Sequence, residues 1–209
     1  MCCRYYYADQ IRDMMDDLIA SQTIKLAEPL HVEPGRDIRP SDASAVIYRD
    51  GEDLSVSNMK WGFENPYAKG LIINARSETA REKNMFSDSI MNRRCVIPAS
   101  GFYEWDAYKA RFRFFLPGEL LFMAGFYREE QGVPRYTILT TEANESMKPV
   151  HDRMPVMIGK NEIGPWITDN EKLPEFLERP QVRLIREQDS GQIRMDFKEL
   201  SDGYTQNRY

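Results

Sequence analysis

Apolar residues recur along this chain at two periods, and the change from one to the other divides it. Ile11, Met14, Met15, Leu18 and Ile19 fall at helical spacing behind Asp9, a residue type suited to an N-cap; the spacing predicts a helix over about 9–20. From Pro29 to Pro40 no period holds, and the stretch reads as irregular and turn-rich. From Ala45 the period drops to two. Ala45–Tyr48, Leu54–Ser57 and Met59–Gly62 read as short strands, with Asp50-Gly51 as a hairpin turn. Leu71–Ile73 is a further strand, and helical patterning returns over Glu78–Lys83 and Phe86–Arg93.

The middle of the chain is richest in β-branched and aromatic residues. Cys95–Ile97, Phe102–Trp105, Phe112–Leu116, Leu121–Tyr127 and Tyr136–Thr140 all predict strands. Thr141–Met147 predicts a short helix, Val156–Ile158 a strand, and Glu162–Ile167 and Lys172–Leu177 short helices. Strands outnumber helices, and several are separated by hairpin-length loops. That pattern predicts an α+β fold: a single domain over residues 1–200 on a curved, largely antiparallel β-sheet. The polar stretch Ser201–Tyr209 reads as a disordered tail.

Composition narrows the function classes. With 209 residues, 42% hydrophobic and 29% charged, the chain suits one domain with a substantial core. Apolar runs such as Leu120–Gly125 are too short to span a membrane, and the start has no basic-then-apolar leader. Three cysteines without framework spacing point to free thiols in a reducing, cytoplasmic compartment. The net charge of −5 argues against binding duplex DNA by general electrostatics. A short single strand can still be held by stacking and a few arginines. Candidates are Arg76–Arg81, Arg93–Arg94 and Arg153, though each taken alone fits ordinary solvated surface better.

The most informative chemistry is at the start. Methionine followed by a small residue is commonly removed, which would leave Cys2 first, with a thiol and a free amine on adjacent carbons. An α-amine titrates at about 7.7–8.0, against roughly 10.4 for lysine, so a useful fraction is neutral near pH 7. Such an amine attacks an aldehyde to give a Schiff base, and the thiol closes on the same carbon to make a thiazolidine ring. The opened deoxyribose of an abasic site is an aldehyde of this kind. Cys3, as an internal residue, offers only a thiol, and Cys95 reads as a buried strand cysteine.

Two histidines, His31 and His151, have no zinc-site spacing with the cysteines, so neither a metal nor a cofactor is expected. His151 lies in Pro149-Val150-His151-Asp152-Arg153-Met154-Pro155, a dense polar segment bounded by prolines that restrict its backbone. Glu104, in Gly101-Phe102-Tyr103-Glu104-Trp105, shares a strand face with Phe102 and so points toward the core. A carboxylate there needs a partner or a task.

Six stretches occur in one order: Met1–Tyr5, Trp61–Phe63, Asn74–Thr79, Arg94–Trp105, Thr140–Asn144 and His151–Pro155. Together they resemble the SOS response-associated peptidase (SRAP) family of abasic-site processing proteins. The resemblance spans most of the chain to about residue 180. It implies a barrel-like sheet with peripheral helices and a protein that removes its own Met1. The processed protein would then crosslink to abasic sites in single-stranded DNA, its one implied partner, with durable attachment, reversal or lyase-type strand cleavage as outcomes. The implied catalytic residues are Cys2 as nucleophile, Asn74 orienting the amine and sugar, Glu104 in acid/base steps and His151 in proton transfer. Arg4, Arg76 and Arg153 would grip phosphates, and Tyr67 would stack on bases. The Pro-rich segment near Pro34–Pro40 matches the family pattern only loosely, and the chain departs from it elsewhere. Cys3 replaces the usual Gly, Pro66-Tyr67 stands where a tryptophan is usual, and Met195–Leu200 runs into a polar tail in place of an Asn/Val-rich strand.

Two other readings use the same residues. A cysteine hydrolase would pair Cys2 with His151 and Glu104 or Asn74, but gives no reason for an N-terminal cysteine. A noncovalent single-strand binding module would have lost the chemistry through Cys3 and the altered C-terminus.

Overall fold

Asp50 and Gly51 do close a hairpin: Gly51 takes a φ of 61°, and Asp50 pairs with Asp53 across the turn. In this computed structural model, which describes residues 2–189, the two long strands of that hairpin belong to a closed barrel. In chain order the first elements are β1 (Arg4–Tyr6), α1 (Ile11–Gln22), β2 (Lys25–Leu26), β3 (Asp37–Ile38), β4 (Ala43–Asp50) and β5 (Asp53–Trp61). There follow β6 (Phe63–Glu64), β7 (Leu71–Ile72), β8 (Asn74–Arg76), α2 (Ser77–Ala80), α3 (Asn84–Asn92), β9 (Arg94–Ala99) and β10 (Gly101–Trp105). The last are β11 (Arg111–Phe115), β12 (Leu121–Glu130), β13 (Val133–Glu142), β14 (Arg153–Pro155), α4 (Ile163–Thr168), α5 (Leu173–Glu178) and β15 (Ile185–Gln188).

The barrel runs β5–β4–β9–β12–β13, antiparallel throughout, and a parallel contact of β13 with β5 (Tyr136 opposite Trp61) closes it. The architecture is thus the α+β, barrel-like single domain that the patterning and the resemblance predicted. Closure suits alternation, because inward positions fill the lumen: Val46, Trp61, Ile97, Met123, Tyr136 and Ile138 share one face of the sheet and are essentially inaccessible. Gly125 lets β12 and β13 approach here, since a Cβ would sit 2.5 Å from the Thr137 carbonyl and 2.6 Å from Ile97. A second sheet, β15–β11–β10–β1–β3, carries the start of the chain. No helix among the described residues is long and apolar enough to cross a membrane.

Several expectations are corrected. The first helix begins at Ile11, and Gln10, rather than Asp9, is its N-cap, without a side-chain cap bond. Ala8 is tied to Ser100 Oγ (2.8 Å), which delays the first helical turn. Leu54–Ser57 and Met59–Gly62 form one strand, β5. The predicted helix over Thr141–Met147 is absent: β13 runs to Glu142, and Asn144 Oδ1 then accepts the Ser146 amide and hydroxyl, holding turns in place of helix. The strand expected at Val156–Ile158 lies earlier, at Arg153–Pro155, and Met157 makes only an isolated bridge to Met123. The strands β1, β2, β3, β8 and β15 were not anticipated. The tail over 201–209 lies outside the described residues.

Candidate active site

β1 pairs antiparallel with β10, Arg4 opposite Tyr103 and Tyr6 opposite Gly101, so the chain's start extends toward the end of β10 that carries Glu104 and Trp105. Tyr5 points inward and anchors the strand. Its hydroxyl lies 2.5 Å from Ser44 Oγ and 2.6 Å from the Tyr136 hydroxyl, and these two lie 2.8 Å apart. This closed ring of buried hydroxyls ties β1 to both β4 and β13. Burial pushes the Tyr5 and Tyr136 hydroxyls well above their ordinary range, so all three groups stay neutral and available to one another. Nothing in the sequence's local pattern announced this ring.

Cys2, two residues ahead of that strand, is 1% exposed. Asn74 Nδ2 donates to its backbone carbonyl at 2.8 Å, while Asn74 Oδ1 is buried without a partner among the described residues. Burial, then the Glu104 carboxylate, then Cys3 push the Cys2 thiol well above the usual thiol value, so it stays protonated at neutral pH. Cys3 is half-buried, and burial and Glu104 raise it as well. Glu104 is buried as its strand face predicted, and its Oε1 accepts the Trp105 amide at 3.3 Å. Cys2, Asn74 and Glu104 therefore form one group, with both thiols within electrostatic reach of one carboxylate.

Asn74 is placed by β8, which lies parallel to β13 with Asn74 opposite Ile138 and Arg76 opposite Thr140. The Trp61 indole fixes the approach to β8 by donating to the Ile73 carbonyl at 2.9 Å. Asn74, Arg76 and Tyr67 share a cavity of about 470 Å³, also lined by Lys83 and Phe86. Tyr67 is 86% exposed on the loop between β6 and β7, and Arg76 is exposed. Arg4 pairs with Asp37 at 3.6 Å and stacks over Trp105.

His151 stands on the turns between β13 and β14. Its Nδ1 accepts the backbone amide of Arg153 at 3.0 Å and lies 2.8 Å from Asp152 Oδ1. The Arg153 side chain turns inward: its guanidinium meets Glu78 at 2.6 and 2.8 Å and donates to the Thr140 carbonyl at 2.6 Å. Glu78 lay inside a quoted motif with no role attached, because its partner is 75 residues away. Another cavity, of about 460 Å³, lies among Leu120, Met157 and Arg179, but there Arg179 is already satisfied by Glu162 and the Met157 carbonyl. Among the described residues no group of His, Cys, Asp and Glu could hold a metal ion.

A closed barrel that holds Cys2 beside the Asn74 amide and the buried Glu104 defines a barrel protein with a cysteine-centred group at one edge of its sheets. The model of the SOS response associated peptidase (SRAP) family matches residues 1–195, and the chain belongs to that family. It is 34% identical over 193 residues to the abasic site processing protein YoaM of Bacillus subtilis, covering 85% of this chain and 84% of that one. It is 25% identical over 178 residues to the abasic site processing protein YedK of Escherichia coli, covering 80% and 79%. A crystal structure of a Bordetella bronchiseptica protein superposes with a TM-score of 0.71 at 22% identity, covering 90% of this chain and 99% of that one, and has the same fold.

Proposed function

We propose that this protein, once Met1 is removed, crosslinks covalently to abasic sites in single-stranded DNA through Cys2. The observation that carries the reading is the Asn74–Cys2 bond: it holds the residue by its backbone carbonyl, which leaves amine and thiol to react. The relatives are named abasic site processing proteins, which supports an abasic site as the substrate.

The chemistry balances with the residues at hand. The Cys2 amine adds to the aldehyde carbon of the opened sugar, and the carbinolamine loses water to give an iminium. The Cys2 sulfur then bonds to that carbon, the C=N π electrons return to nitrogen, and the thiol proton leaves. One aldehyde, one amine and one thiol become a thiazolidine and one water. Because the thiol is held protonated, the amine attacks first and ring closure needs a base. Glu104 beside both thiols takes that proton and also serves removal of Met1. Asn74 Oδ1 orients the amine, and His151 moves protons during loss of water. Arg4 and Arg76 contact the flanking phosphates, and Tyr67 stacks on a base beside the lesion. The adduct shields the abasic site during the response to DNA damage.

The test pairs mass with a gel. Intact mass of the purified protein should correspond to a chain lacking Met1. Incubation with a single-stranded oligonucleotide carrying an abasic site should give a heat-stable, slow-migrating band on a denaturing gel, with none from the undamaged oligonucleotide or from Cys2→Ala. Retention of Met1, or no heat-stable band with the abasic strand, would overturn the reading.

A further inference from the structure

We propose that Glu78 and Arg153 are positioning residues that fix the place and tautomer of His151. The kinetic side of this inference rests on the function proposed above; the structural side does not.

The Arg153 side chain is only 14% exposed, and both of its terminal nitrogens bond inside the protein. Nη1 and Nη2 meet the two Glu78 oxygens in a bidentate fork, Nη2 also reaches the Thr140 carbonyl, and Nε is buried without a hydrogen-bond partner among the described residues. The hydrogen bonds from Arg153 are the main cause that holds the Glu78 carboxyl below its ordinary range, so Glu78 is ionised and the fork intact at neutral pH. A guanidinium so engaged is an anchor between two segments.

What the fork joins is specific. Glu78 lies in α2, four residues beyond Asn74 on the segment that holds Cys2, and Thr140 pairs with Arg76 of the same segment. Arg153 opens β14 and follows His151 by two residues. The fork therefore sets the His151 segment against the segment that positions the reacting residue.

The consequence for His151 is chemical. A backbone N–H directed at Nδ1 requires a lone pair there, so the neutral ring carries its proton on Nε2. Asp152 Oδ1, at 2.8 Å from the same nitrogen, attracts the ring only when Nδ1 is protonated. The two arrangements exclude each other, and the position of the residue 153 amide decides between them. A fork that fixes Arg153 thus makes Nε2 the nitrogen that delivers the proton.

Only two histidines are present, so His31 serves as an internal reference in long-range ¹H–¹⁵N spectra of the imidazoles. Wild type, Glu78→Ala and Arg153→Lys are compared at a pH where the rings are neutral, after circular dichroism confirms the fold. All three keep the amide of residue 153, and Lys keeps the charge but cannot form the fork. The expected result is an Nε2–H tautomer for His151 in the wild type and a mixture of tautomers in both variants, with His31 unchanged. With saturating abasic oligonucleotide, the crosslinking rate of both variants should fall by about tenfold to a hundredfold. Half-saturation should move by less than about twofold, as for an interaction absent from ground-state binding. An unchanged His151 spectrum would overturn the proposal, as would a Glu78→Ala protein that binds single-stranded DNA more tightly because a freed Arg153 grips phosphate. If one variant does not fold, the other decides on the same criteria. Should the wild type form no adduct, the proposed function fails, while the tautomer comparison still tests this inference.

Discussion

The side-chain amide of Asn74 donates to the backbone carbonyl of Cys2 at 2.8 Å, joining residues 72 apart in sequence. Holding a nucleophile by its main chain orients it without consuming either reactive group. Asn74→Asp keeps the shape but replaces the donor with an acceptor facing a carbonyl. With a misplacement near 1 Å costing on the order of 10²-fold, the variant should crosslink abasic DNA about tenfold to a hundredfold more slowly. Initial rates from a denaturing-gel time course measure this, and a rate equal to wild type would remove Asn74 from the reacting group.

Stability should depend heavily on Arg94, which is 2% exposed. Its guanidinium donates to the carbonyls of Ile90 and Met91 at the end of α3 and to those of Trp166 and Ile167 near the end of α4, and also reaches Asn170 Oδ1. One side chain thus satisfies the open ends of two helices. Arg94→Ala leaves those acceptors buried and unpaired, at about 1–3 kcal/mol for each group that water cannot reach. Arg94→Lys should recover little, since one ammonium cannot span both helix ends. Urea unfolding midpoints at constant slope are the measurement, and a shift worth less than about 1 kcal/mol would contradict the assignment.

The residues that were legible beforehand and those that were not differ in physical range. Glu104 could be placed inside because it alternates with Phe102 within one strand, and the hairpin at Asp50-Gly51 followed from a glycine that the turn geometry demands. Cys2 drew attention through its place behind Met1, and the resemblance then gave it a role. The barrel came from the resemblance and not from patterning, because Trp61 and Tyr136 meet in a parallel contact that leaves no mark on either strand's own periodicity. β1 and β8 hold the site together but have three residues each, too few for alternation to show. Asn74, Glu104 and His151 entered through resemblance and motif context, whereas Glu78 was passed over because its meaning lies in Arg153 across the fold. Asp9 misled: local propensity favoured it as a cap, but the tie of Ala8 to Ser100 moved the helix start onward.

Alkaline pH should weaken the fold more than its charge count suggests. Cys95 is inaccessible, and burial raises its thiol well above the ordinary 9.0. Tyr7 is pushed up to about 12, again chiefly by burial. An acid whose pKa rises on folding holds its proton more tightly folded than unfolded. Its contribution is complete below the unfolded value and drains as pH climbs past it, here from about pH 9 upward. Cys95→Ala removes one such group at a neutral-pH cost of about 1 kcal/mol for the lost volume. Denaturant unfolding at pH 7 and pH 10 should show the wild type losing more stability between the two than Cys95→Ala does. Equal losses would mean that the thiol does not titrate as its burial demands.

Tyr67 offers the sharpest separation of stability from binding. It is 86% exposed on the loop between β6 and β7, beside the cavity it shares with Asn74 and Arg76. So little burial means that Tyr67→Ala should leave stability within about 0.5 kcal/mol of wild type. If the ring stacks on a base next to the lesion, its loss should weaken noncovalent binding of single-stranded DNA by about 1–3 kcal/mol. Tyr67→Trp, with a larger face, should bind at least as tightly as wild type. Fluorescence anisotropy with an undamaged single-stranded oligonucleotide isolates this step from the covalent one. The electrostatic share of binding should persist in Tyr67→Ala, so its salt dependence should match that of the wild type while its affinity is lower at every salt concentration. Parallel, displaced salt curves would assign Tyr67 to stacking; coincident curves would leave the loop without a part in holding DNA.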